Sequence, residues 1–349
     1  MKVMSNSTIV CLSQDQPPGW RWIEPSLADM GVKIESATCR PKNALERHGP
    51  VNLARIRGSL EAIQLARRTE AKALVPHLPR PAAWCALFAR VFRLKIPILA
   101  HVFNFPTLPR RVWRPLFSLA FSRIDRFVVH STMERDIYAK IFGIPVEKFD
   151  VVLWGVRPPA VEAPEMPLEP GDYVAVIGQY CRDYRTLVEV ARHLSELRFV
   201  LVARPDNLDG LCLPSNVFFR PNLPFEKTMN VLLHSRFMVL PLIGSEVPAG
   251  HVTLVAAMHL GKAVVISDSA GVRDYARHGE NALIVPVGST DDLVAATKQL
   301  WDNPTLCSKL GENGRRFTAR ECSEERITEH FRNWLMDYGI GTMSRNPKN

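Results

Sequence analysis

Nowhere in this chain do eighteen apolar residues run together, so no segment reads as a transmembrane helix. The opening MKVMSNSTIVCLSQ has one early lysine and a short apolar run broken by polar residues. It lacks the apolar region of a secretory signal and reads as a first strand. Cysteine is sparse: Cys11, Cys39, Cys85, Cys181, Cys212, Cys307 and Cys322 are seven in number, with no metal-like spacing. An odd, scattered set argues against a disulfide framework and a zinc site, and predicts reduced thiols in a cytosolic protein. Basic tails, zinc fingers and RNA-recognition signatures are missing, and basic residues are dispersed among acidic ones, so nucleic acid is not an expected partner. There is no internal repeat and no low-complexity tract.

What is present is a chain of 349 residues, 46% hydrophobic, enough for two domains with a core each. The formal net charge is +9, which calls for an anionic partner such as nucleotide phosphates or an acidic membrane face. Short β-rich apolar runs alternate with helical patterns. STIVCLS, KALVPHL, IPILAHVF and FVVHS read as buried parallel strands of a first half. YVAVIGQ, RFVLVAR, FMVLPLI, AVVIS and ALIVPVG do the same for a second half. In the intervening RTLVEVARHLSEL, residues Leu187, Val188, Val190, Ala191 and Leu194 share one helical face. Strands alternating with such helices predict α/β architecture, with parallel sheets covered on both faces.

RPPAVEAPEMPLEPGDY, from Arg157 to Tyr173, breaks the rhythm with five prolines and reads as a stiff interdomain hinge. From Ser323 to Tyr338 an amphipathic helix is expected, with Ile327, Phe331, Trp334 and Leu335 on its apolar face.

Ligands of open parallel sheets bind beyond the carboxyl ends of the strands. After FMVLPLI, Gly250 permits close backbone approach, and the amides of His251, Val252 and Thr253 open a helix. Free N–H groups and the positive dipole end make an anion site there, to which Thr253 adds a hydroxyl. A plain loop-to-helix turn is the competing reading of this loop alone. After YVAVIG, whose last residue is Gly178, Arg182 and Arg185 stand just past the strand end, where either suits bidentate phosphate contact. After AVVIS, Gly271 allows another tight turn. Three such loops in one domain favour nucleotide phosphates over ordinary turns.

The stretch Gly250–Leu293 reads G-x-x-x-L-x-x-A-M-x-x-G-K-x-V-V, then G-V-R-D-Y and G-x-N-A-L-I-V-P. It resembles the donor-binding half of GT-B glycosyltransferases, particularly glycosyltransferase family 4 (group 1). DRFVVHSTMERDIYAKIFGIPVEKFDVVLWGV resembles the end of their acceptor domain, and RDYRTLVEV their first donor-domain helix. NVFFRPNLPFEKTMNVLLHSRFMVLPL resembles their central strands, and TDDLVAATKQLWDNPTLCSKLGENGRRFTAREC their closing helices. The resemblance implies two Rossmann-like domains with parallel sheets facing across a cleft. It divides the chain into an acceptor domain 1–157, a linker 158–172, a donor domain 173–322 and a segment 323–349 made of a helix crossing back to the first domain and then a tail.

The implied activity is retaining sugar transfer from a UDP- or GDP-linked nucleoside diphosphate sugar to a glycan or lipid-linked acceptor. Cell-surface polysaccharide or glycolipid assembly is the implied setting. No metal and no separate cofactor are implied, so amides and cations must neutralise the leaving diphosphate. Arg182 falls at the family's lysine. The family's preceding arginine falls at Gln179, with Arg185 or Arg204 as substitutes. The nucleobase would lie near Arg204 and Asn222. Two family glutamates fall at Pro248 and Ala256, and Glu246 stands near the first as an alternative contact for the sugar hydroxyls. His101, in IPILAHVFNFP, falls where relatives often carry a histidine facing the transferred sugar. It reads equally as a satisfied core histidine, the reading that also suits His130. Asp15 and Gly19 line the first loop and face the acceptor.

TLPRRVWRPLFSLAFSRIDR mixes Arg110, Arg111, Arg114, Arg123 and Arg126 with Trp113, Leu116, Phe117, Leu119 and Phe121. AAWCALFARVFRLK upstream is similar. Two amphipathic helices packing on their own sheet account for this, as does peripheral attachment to an anionic membrane on its cytoplasmic face. Rival functions are a catalytically silent GT-B scaffold that binds a glycan or partner enzyme, a sugar-nucleotide epimerase of the same fold, and a membrane-binding structural protein.

Overall fold

The computed structural model describes residues 7–13, 22–48, 53–105, 107–159, 166–244 and 249–341. The chain divides into two compact units, one of residues 1–152 with 327–349, the other Leu153–Arg326.

Unit 1 begins β1 (Ser7–Ser13), α1 (Glu24–Ala28), β2 (Val32–Thr38), α2 (Ala44–His48), α3 (Leu53–Arg68), β3 (Ala73–Pro76) and α4 (Pro79–Val91). It continues β4 (Leu99–Ala100), α5 (Arg114–Phe121), β5 (Arg126–Val129), α6 (Thr132–Phe142) and β6 (Phe149–Val151). The strands are parallel in the order β2-β1-β3 and β4-β5-β6. Bridges Leu74–Ile98 and His77–His101 join β3 to β4. Alternate residues of β1 serve opposite faces: Val10 and Leu12 enter one core with α3 to α6, Ile9 and Cys11 another. That second core is closed by α12 (Glu324–Asp337), through Phe331, Trp334 and Leu335. Each such fully buried aliphatic or aromatic side chain contributes roughly 1.5–3 kcal/mol, so the sequence-distant helix is part of unit 1's core.

Unit 2 follows with β7 (Val174–Ile177), α7 (Tyr184–His193), β8 (Phe199–Ala203), β9 (Val217–Pro221), α8 (Phe225–His234) and β10 (Phe237–Leu240). It ends with α9 (His251–His259), β11 (Val264–Ser267), β12 (Leu283–Val285), α10 (Thr290–Asp302) and α11 (Pro304–Glu321). The six parallel strands lie in the order β12-β11-β10-β7-β8-β9. Counted within the unit this is the Rossmann order, and the direction of winding reverses between β7 and β10. The predicted face of α7 is the buried one: Leu187, Val188, Val190 and Ala191 pack inward. Helix α9 is buried nearly all round, a central helix whose apolar sequence has no polar stripe to present.

Two elements differ from the sequence reading. Strand β2, VKIESAT, was hidden by its alternating charged residues, because one side of it is exposed. The proline-rich segment is not a free hinge in its described part. Glu169 is buried and accepts from Arg198 at 2.6 Å and from Arg220, and the Leu168 amide donates to Asn230 Oδ1 at 3.1 Å. A buried carboxylate keeps its charge only with partners, so these arginines dock the segment on unit 2. Among the described residues no helix is long and apolar enough to cross a membrane.

Candidate functional site

In unit 2 the loops at the reversal point are stitched together. The Asp183 amide donates to the Pro241 carbonyl at 3.0 Å and the Ile243 amide to the Cys181 carbonyl at 3.0 Å. Between them Arg182 folds back over Gly178. Its Nε donates to the Ile177 carbonyl at 3.2 Å, Nη1 to the Tyr180 carbonyl at 2.8 Å, and Nη2 to Thr253 Oγ1 at 3.0 Å. Gly178 makes this possible: its φ is +148°, and a Cβ there would stand 2.2 Å from Arg182 Nε.

Thr253 is the third residue of α9, whose cap is Gly250 at φ +100°. His251, Val252 and Thr253 therefore carry the amides that have no intrahelical carbonyl. A Cβ on Gly250 would press on Leu242 at 3.1 Å, so the glycine serves both the turn and the close approach of β10's loop. A guanidinium thus lies against the first turn of a helix at the switch point. Its described neighbours do not neutralise it. Asp183 is used as the cap of α7, accepting from the Thr186 amide at 3.0 Å and hydroxyl at 2.6 Å. Asp268 pairs with Arg273 at 2.9 Å. Among the described residues no carboxylate pairs with Arg182. Desolvation lowers its pKa from the ordinary arginine value, although it stays a cation at any physiological pH. A cation with no carboxylate partner among the described residues, beside the first-turn amides of a helix, is suited to an anion.

The other predicted residues are distributed unevenly. His251 is buried, its ring stacked on Tyr275 at 5.9 Å with Trp154 at 6.0 Å. It thus anchors the helix start. Val252 is half exposed. Arg204, just past β8, lies over the ring of Tyr180 at 5.2 Å. Asn222 is exposed after edge strand β9, its amide donating to the Ala203 carbonyl at 3.0 Å. Arg185 is exposed on the first turn of α7 and is not drawn into the Arg182 cluster. Ala256 is buried in the apolar core of unit 2, so the site has no carboxylate at that point. Glu246 and Pro248 lie outside the described residues, as do Asp15 and Gly19.

In unit 1 the carboxyl ends of β3, β4 and β5 bring together histidines. His101 is buried and stacks on His77 at 5.9 Å. Burial, then His77, His130 and His330, hold its pKa well below the ordinary value, so the ring is neutral at pH 7. His130 Nδ1 donates to the Val152 carbonyl at 2.9 Å, and burial lowers its pKa to about 4. That contact fixes His130 as a buried residue held to the chain after β6.

Glu134 was not singled out from sequence. Ser131 caps α6 and accepts from the Glu134 amide at 3.2 Å. The Glu134 carboxylate accepts from the His130 amide at 2.9 Å, from Ser131 Oγ at 3.0 Å and from Asn104. Burial pushes its pKa up to about 7, against those donors. The signal was legible as a capping box, Ser-x-x-Glu in STMERDIY. A second signal was not legible. Leu78, Val102, Cys181 and Asn222 all have positive φ, and each lies within a few residues of a strand's carboxyl end. Bulky residues hold that conformation only where tertiary contacts impose it, often at binding sites.

Two units of parallel strands with flanking helices, the second a six-stranded Rossmann-like sheet, have the GT-B fold of the glycosyltransferase structures compared below. Residues 205–317 match the family model of glycosyl transferases group 1. HepE from Anabaena, solved in complex with UDP, superposes with a TM-score of 0.70 at 15% identity, covering 95% of this chain and 100% of that one. A glycosyltransferase from Rickettsia africae ESF-5 gives 0.75 at 12% identity over 97% of this chain and 100% of that one. Sucrose-phosphate synthase from Thermosynechococcus elongatus gives 0.70 at 15% over 95% and 98%. In sequence, 67 residues are 36% identical to a putative glycosyltransferase, EpsD, of Bacillus subtilis strain 168, spanning 19% of this chain and 17% of that protein.

Proposed function

We propose that the chain is a retaining, metal-independent glycosyltransferase that takes a hexosyl or related sugar from a UDP- or GDP-linked donor. The acceptor is a glycan or a lipid-linked glycan of cell-surface assembly. One observation carries the reading: the guanidinium of Arg182, lacking a carboxylate partner among the described residues, is held by Thr253 against the first turn of α9. A diphosphate placed there receives the amides of His251, Val252 and Thr253 and the charge of Arg182. As the sugar–phosphate bond breaks, negative charge grows on the leaving diphosphate, and these fixed donors stabilise it without reorganising. HepE's complexes with UDP and with UDP-glucose support the donor class. The neutral ring of His101 suits hydrogen bonding to a sugar hydroxyl.

Ala256 favours a second reading, a silent scaffold of the same fold. A ribose hydroxyl has no carboxylate to meet at an apolar core position. Incubation with a panel of UDP- and GDP-sugars separates the two. Nucleotide release with any of them supports the transferase. UDP or GDP raising the melting temperature, with no sugar released or transferred, supports the scaffold. A melting temperature indifferent to both nucleotides removes the diphosphate site altogether.

A further inference from the structure

Between Glu70 and Asp125 the chain has no acidic residue and carries nine lysines and arginines. The other 35 basic residues match the 35 acidic ones, so this one stretch holds the entire formal charge of +9. It folds as β3, α4, β4, the segment before α5, and α5 itself.

The same stretch concentrates exposed apolar surface. Val112 is 77% exposed, Trp113 55% and Leu119 56%, with Leu116 also exposed. Leu116 and Leu119 are three apart on α5, and Val112 and Trp113 lie in the 3-10 turn that leads into it. The inner side of α5 is already satisfied, since Phe117 and Phe121 pack against Phe105 and Phe142. The packing reading of this sequence is therefore realised on one side of the helix, while the other side keeps exposed apolar residues of its own. Arg123 and Arg126 leave the basic set, for they pair with Asp125 at 3.0 Å and Asp150 at 3.3 Å. Arg110 and Arg111 are exposed beside Val112, and no carboxylate pairs with them among the described residues.

Water is a poor neighbour for a tryptophan, a valine and two leucines exposed within eight residues. A second copy of this face would bring like charges together. A polyanion such as nucleic acid would meet the arginines and leave the apolar residues wet. An anionic bilayer meets both, with aliphatic and indole groups at the headgroup–acyl boundary and guanidinium groups on phosphates.

We propose that α5 and the turn before it form a membrane-docking face for anionic phospholipid. Val112, Trp113, Leu116 and Leu119 enter the boundary, while Arg110 and Arg111 bind headgroup phosphate. The proposal stands apart from sugar transfer and needs no donor.

The full chain is floated with vesicles of equal phosphatidylglycerol and phosphatidylcholine, and with phosphatidylcholine alone. Flotation on the mixed vesicles only is expected, and weaker flotation as salt rises. R110Q/R111Q is expected to bind roughly thirtyfold more weakly, at about a factor of five per arginine. V112S/W113S is expected to lose binding at least as strongly. Both pairs are exposed, so both variants should melt like the parent. Either double variant floating like the parent overturns the proposal, as does equal flotation on phosphatidylcholine alone. A dimer that V112S/W113S dissociates, or oligonucleotide binding without flotation, also overturns it.

Discussion

Nη2 of Arg182 donates to Oγ1 of Thr253 at 3.0 Å, joining residues 71 apart in sequence. The contact ties the loop of β7 to the start of α9, so the cation and the helix's first-turn amides act on one point in space. If that point holds a diphosphate, Arg182→Ala should weaken UDP or GDP binding by about 2 kcal/mol, or roughly thirtyfold. The ligand-free protein should melt within a few degrees of the parent, because three lost hydrogen bonds offset the relief of a desolvated cation. Titration calorimetry and thermal melting check the two halves separately. Unchanged nucleotide affinity would remove Arg182 from the site.

Gly178→Ala tests the same clamp from beneath. The new Cβ would sit 2.2 Å from Arg182 Nε, at a φ of +148°. Backbone strain of about 1–3 kcal/mol is expected, and the guanidinium must move. Nucleotide affinity should therefore fall about as far as in Arg182→Ala, along with a lower urea midpoint. An alanine variant with parental affinity would mean that the position of the guanidinium is immaterial.

Unit 2 depends on a close helix contact away from the site. A Cβ on Gly311 of α11 would lie 2.0 Å from the carbonyl oxygen of Gly261, which ends α9's turn. Backbone cannot yield as a side chain does, so Gly311→Ala should cost about 2 kcal/mol or more. Because α9 is displaced with it, nucleotide binding should weaken too. Chemical denaturation reads the first effect, and a full-strength unfolding midpoint contradicts it.

The edge of unit 1 carries two opposed titrations. His130, lowered to about 4, loses its contribution as pH falls from 6.5 toward 4, because the unfolded ring takes the proton first. Glu134, raised to about 7, behaves oppositely: its protonated form contributes fully below about 4.5, and that contribution is lost as pH rises through 7. The two partly cancel between pH 8 and pH 5. Glu134→Gln removes one of them, so on going from pH 8 to pH 5 the variant should lose about 2 kcal/mol more stability than the parent. Urea midpoints at the two pH values measure this. Identical pH dependence would mean that Glu134 does not titrate in that range.

Much of the fold could be read in advance because buried parallel strands are written as β-branched runs. FVLVA and FMVL need no partner to be recognised. VKIESAT was missed since one side of it faces water, and FDV is too short to carry a pattern. Arg182, Gly250 and Thr253 were legible through their place after strands. Arg185 shares that place in the sequence, yet α7 turns it outward. Glu134 was legible only as a cap, and its burial against His130 and Asn104 needed the fold.

Local chemistry decided the strands, the helical faces of α7 and α12, the caps and the glycine turns, for each depends on neighbours within a few residues. Tertiary structure alone decided that Arg182 lacks a carboxylate among its described neighbours and that Ala256 is core. It also set the bulky residues at strand ends into left-handed backbone and left α5 apolar on its outer side. Those outcomes depend on which distant groups meet, and on how much water is removed when they do.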